Sequence, residues 1–235
     1  MPVIHYNWDL YPAMVRTNKT YDWRGYIADL RKATVVLVPS QCTATRTMEF
    51  TNRGANVVLA PIDVWEIPNY ADLGNGDETV PMPKSYVLDV MRDYPWDPHR
   101  HLAQEVCNLL KIPLVRTQTT TDWNRFRWLV ANARVLLSCY DEASTGGLTL
   151  LEGYAHGVPC IVCDSPRHGA VDYFGDRATY FKHTEPFNSL AWNLDQQWRY
   201  PSKHDAVEHR QWVISTYSDR VFAQQLKEVF ERCAR

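Results

Sequence analysis

Between Val135 and Asp164 the chain reads VLLSCYDEASTGGLTLLEGYAHGVPCIVCD, a pattern with few structural solutions. Val135–Cys139 is a short apolar run rich in aliphatic residues, as expected of a strand buried on both faces. Asp141 to Gly147 supplies carboxylates, Ser, Thr and a Gly pair, the residues of a loop and a helix start. Leu148, Leu151, Tyr154 and Ala155 recur at helical spacing, Gly157 stops the helix, and Val158–Cys163 is a second apolar strand. Such a βαβ unit belongs in a parallel sheet with helices on its faces, and its loop lies at the carboxyl end of a strand, where these sheets bind ligands. Gly146-Gly147 leaves backbone N–H groups unobstructed toward an anion, and Glu152 lies one turn into the helix. A Gly pair opening a helix is more often only a turn, so this spacing alone does not make a phosphate site.

At 235 residues the chain is long enough for one large or two small domains. Its 45% hydrophobic and 22% charged content is that of a soluble globular protein, and a net charge of −2 gives no electrostatic footprint for nucleic acid. No apolar run is long enough for a transmembrane helix, and MPVIHYNWDLYP lacks the basic and apolar regions of a signal peptide, so a cytoplasmic location is expected, with a peripheral membrane role open. The six cysteines lie mostly in apolar segments and read as reduced core thiols. Cys160 and Cys163 form a C-x-x-C inside a strand, where residues three apart face opposite sides, so no metal is expected there.

Elsewhere, apolar strands are expected at Val3–Tyr6, Ala33–Val38, Val57–Ala60, Tyr86–Met91 and Ala178–Phe181. Helices are expected at Tyr21–Lys32, Thr43–Asn52 (with Gly54 as its stop), Leu102–Lys111, Trp123–Ala133, Pro186–Arg199 and Asp205–Arg235. Val221, Leu226, Val229 and Phe230 mark an apolar face on the last. Residues 67–85 carry Gly, Pro and acidic residues without periodicity and read as a linker. Trp23, Trp123, Trp128 and Trp212 read as core, while Trp8, Tyr11, Trp65 and Trp96 lie in loops where sugars could stack. His99, His101, His183, His204 and His209 read as solvated, and His156 as a helix-terminal residue favoured by the dipole.

Taken together, YDEASTGGLTLLEGYAHGVPCIVCDSP, GAVDYFGDRATYF and the closing YSDRVFAQQLKEVF resemble the retaining glycosyltransferases of family four, which have the GT-B fold. The likeness runs from Tyr86 to the C-terminus, and VIHYNWDLYP with ATVVLVPSQ resembles the later strands of the family's acceptor-side domain. The resemblance implies an α/β protein of two Rossmann-like lobes (GT-B-like) with the N-terminal lobe truncated: 1–66 the abbreviated acceptor-side lobe, 67–85 a linker, 86–200 the nucleotide-sugar-binding domain, and 201–235 a helical segment docking on the lobes.

It further implies transfer of a sugar from a nucleotide-diphosphate sugar to an acceptor hydroxyl with retention, the donor being a substrate and no cofactor or metal being needed. Glu152 matches the glutamate that binds the ribose hydroxyls, which a carboxylate does through two charge-assisted hydrogen bonds. Gly146, Gly147, Leu148 and Thr149 match the turn facing the diphosphate and sugar, and Arg92 the basic residue facing the phosphates. Arg100 is the nearest substitute for a family lysine missing here, and Ser144 stands in the place of the family's first glutamate, with Glu142 two residues earlier. Asp9 follows Trp8 where many relatives have His-Asp, and it could contact the acceptor, a carbohydrate or lipid-linked molecule. The usual opening strand and its glycine-rich loop are missing from the resemblance, so a homodimer or a partner chain supplying that region is a further expectation. A non-catalytic nucleotide-sugar-binding subunit, or an epimerase or phosphorylase on the same fold, are the alternatives.

Overall fold

A computed structural model of the chain describes residues 3–7, 22–61, 82–90, 97–116, 123–141, 147–201 and 206–234. The run Ile4–Tyr6 forms β1 and Val35–Val38, fully buried, forms β2. Asn56–Val57 forms β3, and the three strands pair in parallel in the order β1-β2-β3, with Ile4 opposite Val35 and Leu37 opposite Asn56. Parallel neighbours need crossovers, here the helices α1 (Trp23–Lys32) and α2 (Gln41–Thr51).

Each of these helices has a cap that explains its start. Asp22 accepts the N–H of Gly25 at 2.9 Å, and Ser40 Oγ accepts the N–H of Thr43 at 3.1 Å. The Ser40 cap starts α2 at Gln41, two residues before the expected Thr43, and the helix ends on Asn52 in the left-handed region (φ 56°), not at Gly54. The expected strand Val57–Ala60 also ends early. Val58 still donates to Val38 O at 2.9 Å, but the N–H of Leu59 goes to Gln225 Oε1 and that of Ala60 to the Tyr173 hydroxyl.

In the second lobe the strands are β4 (Val87–Asp89), β5 (Leu114–Arg116), β6 (Val135–Ser138), β7 (Cys160–Cys163) and β8 (Thr179–Phe181), all parallel and ordered β5-β4-β6-β7-β8. Between them run α3 (Leu102–Leu110), α4 (Trp123–Asn132), α5 (Leu148–Ala155) and α6 (Ala170–Phe174), followed by α7 (Pro186–Arg199). The strand period of two splits the core into two layers. Val135, Leu137 and Cys139 pack with α3 and α7, whereas Leu136 packs with α4, α5 and α6. Cys160 joins the second layer and Cys163 the first, so the C-x-x-C pair does face opposite sides. The stop at Gly157 is also as expected: it has φ 81°, and the Val158 N–H returns to Gly153 O at 3.1 Å.

The expected long helix Asp205–Arg235 is two helices, α8 (Ala206–Tyr217) and α9 (Asp219–Cys233), divided by Ser218 in an extended conformation. The break lets one segment serve both lobes. His209 of α8 stacks on Tyr154 of α5 with ring centroids 3.8 Å apart, while Val229 of α9 is buried against Val35, Leu37 and Val58 of the first lobe. Leu226 and Phe222 join that contact, but Phe230 stays exposed, as does Trp123 at 67%. His209 is buried, against expectation: its polar sequence neighbours concealed an aromatic shelf supplied by another helix.

Among the described residues, no helix is long and apolar enough to cross a membrane. The linker expected at 67–85 lies almost wholly outside them.

Candidate functional site

In the second sheet the strand order reverses between β4 and β6, which flank the crevice where ligands bind in open parallel sheets. At the end of β4, Asp89 is buried and paired with Arg116 of β5 at 3.3 Å. Arg116 also donates to the carbonyl of Arg100 at 3.1 Å, so the turn leading into α3 is held down against the sheet. On that turn the buried Asp97 accepts the N–H of His99 at 2.9 Å and the N–H of Asp141 at 3.2 Å. His99 Nδ1 lies 3.1 Å from Cys139 O. The loops after β4 and β6 are thereby tied together across the crevice.

Gly147 is the N-cap of α5, and its carbonyl accepts the N–H of Leu151 at 2.8 Å. A Cβ at Gly147 would come within 3.2 Å of both Ala170 Cβ and Phe174 Cε2, so the close approach of α6 is one reason for glycine here. No side chain caps α5 among the described residues, and its first-turn N–H groups lie at the positive end of the helix dipole. Leu148 and Thr149 lie half-buried on that turn. Glu152 follows, also half-buried. Burial raises its carboxyl above the usual range, and the Arg127 guanidinium of α4 pulls it partly back. Gly153 behind it is required by packing: a Cβ there would lie 2.1 Å from Leu136 Cδ1.

Of the residues singled out in the sequence, the structure brings Gly147, Leu148, Thr149 and Glu152 together on one helix end. Arg100 sits on the neighbouring turn with its Nε 2.8 Å from His101 Nε2. Asp9, Arg92, Glu142, Ser144 and Gly146 lie outside the described residues, as do Trp8, Tyr11, Trp65 and Trp96. Asn7, immediately before Trp8, is fully buried at the end of β1. It donates to Thr47 Oγ1 at 2.7 Å and accepts from the Tyr26 hydroxyl at 2.6 Å.

Two residues near the site carry no spacing signal in the sequence. Asp97 occupies a Trp-Asp-Pro turn whose only sequence signal is the turn itself. His168 is buried beneath the turn after β7. Its Nδ1 accepts the Ala170 N–H at 3.1 Å, which leaves Nε2 to donate to Ser138 Oγ at 2.9 Å. Burial and then Arg46 push His168 down to about 3, so it is a neutral structural clamp. His156, expected to be favoured by the dipole at the end of α5, is likewise pushed down to about 4 by burial and then by Arg210; desolvation outweighs the dipole. Among the described residues, no group of three or more His, Cys, Asp or Glu side chains is placed to hold a metal.

No protein-family model matches the chain, and no curated protein matches it in sequence. Solved structures match it in fold. Against the crystal structure of a glycosyltransferase from Rickettsia africae the TM-score is 0.65 at 13% identity, covering 99% of this chain and 70% of the other. Against Anabaena HepE, solved with UDP and glucose, the values are 0.70 and 13%, covering 98% and 72%. A UDP-forming α,α-trehalose-phosphate synthase from Burkholderia vietnamiensis gives 0.70 and 10%, covering 98% and 66%. The two lobes, their parallel sheets and the α9 return to the first lobe give this chain a GT-B-like fold.

Proposed function

We propose that this chain is a metal-independent, retaining glycosyltransferase that moves a sugar from a nucleoside-diphosphate sugar to an acceptor hydroxyl, as its resemblance to family four implies. The observation that carries this reading is Glu152, a half-buried carboxylate one turn behind the uncapped amino end of α5, at the crevice between β4 and β6. Burial destabilises its charged form, and a ribose diol donating two hydrogen bonds would restore that charge. The first-turn N–H groups of α5 suit a diphosphate, and they would stabilise negative charge developing there as the sugar departs. Arg92 and Arg100 are the candidates to add cationic charge. Asp9 and Glu142 are candidates to contact the acceptor and the sugar hydroxyls. As in the family resembled, the leaving phosphate oxygen takes the acceptor proton, so no protein nucleophile is assigned.

The fold neighbours solved with UDP and glucose, or described as UDP-forming, support a nucleotide sugar as the ligand class. The test is incubation with UDP-, GDP- and ADP-glucose and a panel of carbohydrate acceptors, following nucleotide release and the anomeric configuration of the product. Release coupled to a product of retained configuration supports the reading. An inverted product contradicts it. Ser144 in the place of the family's first glutamate favours a second reading, a nucleotide-sugar-binding subunit without transfer, for which binding would be seen with no turnover.

A further inference from the structure

The five residues of α6 touch the start of α5 and two places in the first lobe. Ala170 and Phe174 pack with Leu150, Leu151 and Tyr154 of α5 and fill the space that a Cβ on Gly147, where α5 begins, would enter. Asp172 Oδ2 accepts the N–H of Cys42 at 3.2 Å, in the first turn of α2 in the first lobe. Its carboxylate also feels the N–H of Gln41. The buried Tyr173 hydroxyl accepts the N–H of Ala60 at 3.1 Å, where the first lobe leaves β3. The turn before α6 is gripped from the same side, because the Arg46 guanidinium and the Cys42 thiol both donate to the Arg167 carbonyl. Below, α6 rests on groups with little freedom. The Ala170 N–H is held by His168, and the Tyr173 carbonyl accepts from the Tyr217 hydroxyl, with the two tyrosine rings stacked at 5.4 Å.

We propose that α6 is the pivot through which the position of the first lobe is passed to the amino end of α5, with Asp172 and Tyr173 as positioning residues. A shift of α2 or of Ala60 moves α6, and α6 carries with it the Ala170 and Phe174 side chains that pack against Leu150, Leu151 and Tyr154 of α5. Neither residue needs to meet the ligand. The effect on ligand binding rests on the nucleotide-sugar reading of the site, whereas the mechanical coupling does not.

The experiment is amide hydrogen exchange on the full chain and on Asp172→Ala, Asp172→Asn and Tyr173→Phe, together with titration of UDP, GDP and ADP. Expected is faster exchange, by about tenfold or more, at Leu151–Tyr154 in the second lobe as well as at Gln41–Thr43. Exchange at Val106–Leu110 of α3 should stay unchanged as the control for general loosening. Asp172→Asn, which keeps an acceptor oxygen, should restore most of the protection, and any nucleotide bound by the unaltered chain should bind the alanine variant several-fold more weakly. Faster exchange confined to the first lobe, or rising equally in α3, would overturn the pivot. If Tyr173→Phe fails to fold, the Asp172 pair decides alone. If the unaltered chain binds no nucleotide, the donor-site reading fails, and the exchange pattern still decides the coupling.

Discussion

The Asp97 carboxylate accepts the backbone N–H of Asp141 at 3.2 Å, joining the loop after β4 to the loop after β6 across the crevice where the strand order reverses. With its other oxygen it holds the N–H of His99, so one buried side chain sets the spacing of both walls. Replacing Asp97 by Ala leaves two N–H groups without their acceptor. That should destabilise the chain by about 2–4 kcal/mol, read from the denaturant midpoint, and should weaken nucleotide binding beyond the loss of folded protein. Asp97→Asn keeps one acceptor oxygen and should fall between the two.

Three glycines should respond differently to alanine, each according to the space around it. Gly153→Ala forces a Cβ to 2.1 Å from Leu136 Cδ1 and should cost about 1–3 kcal/mol. Gly147→Ala meets Ala170 and Phe174 at 3.2 Å, a milder clash, and should reduce nucleotide affinity more than stability. Gly54→Ala meets nothing within 4 Å and should be neutral or stabilising by up to about 1 kcal/mol. Urea melts of the three variants check the order.

Acid should weaken the fold through its buried histidines. His156 and His168 have folded-state values of about 4 and about 3, below the 6.5 of an unfolded histidine. The unfolded chain therefore takes up protons first as pH falls, and their stabilising contribution, complete above pH 6.5, is lost between 6.5 and about 4 for His156 and about 3 for His168. Each contributes at most about 1.4 kcal/mol per pH unit. Glu152, raised by burial, acts in the opposite sense, so the difference between chains is the useful quantity. His156→Gln should make the slope of unfolding free energy against pH shallower by about one proton between pH 6 and 4.5; parallel slopes would contradict the assignment.

The physical reasons for what was legible are specific. The β6–α5–β7 unit could be read because its strands are unbroken apolar runs and Gly157 needs a left-handed conformation, both local properties. The start of α2 was misplaced because a Ser cap competes with ordinary loop serines, and the break at Ser218 was missed because it carries neither Gly nor Pro. Glu152, Gly147, Leu148 and Thr149 could be grouped because all four fall on one helix end, while the role proposed for them rests on the family resemblance. Asp97, His168 and the buried face of His209 depend on partners 30 to 55 residues away, namely Asp141, Ser138 and Tyr154. No short window of sequence contains such pairs.

On the proposed reading, the crevice beside α5 holds a nucleoside diphosphate through Glu152. Calorimetric titration of the chain with UDP, GDP and ADP, repeated with Glu152→Ala and across pH, tests it most directly. Selective binding of one nucleotide is expected, weakened by about tenfold or more in the variant through the loss of both charge-assisted hydrogen bonds to the ribose. Weakening is also expected as pH falls and the raised carboxyl of Glu152 takes a proton, since a protonated acid cannot accept both ribose hydroxyls. A folded chain that binds none of the three, or one whose affinity is the same in Glu152→Ala, would contradict it.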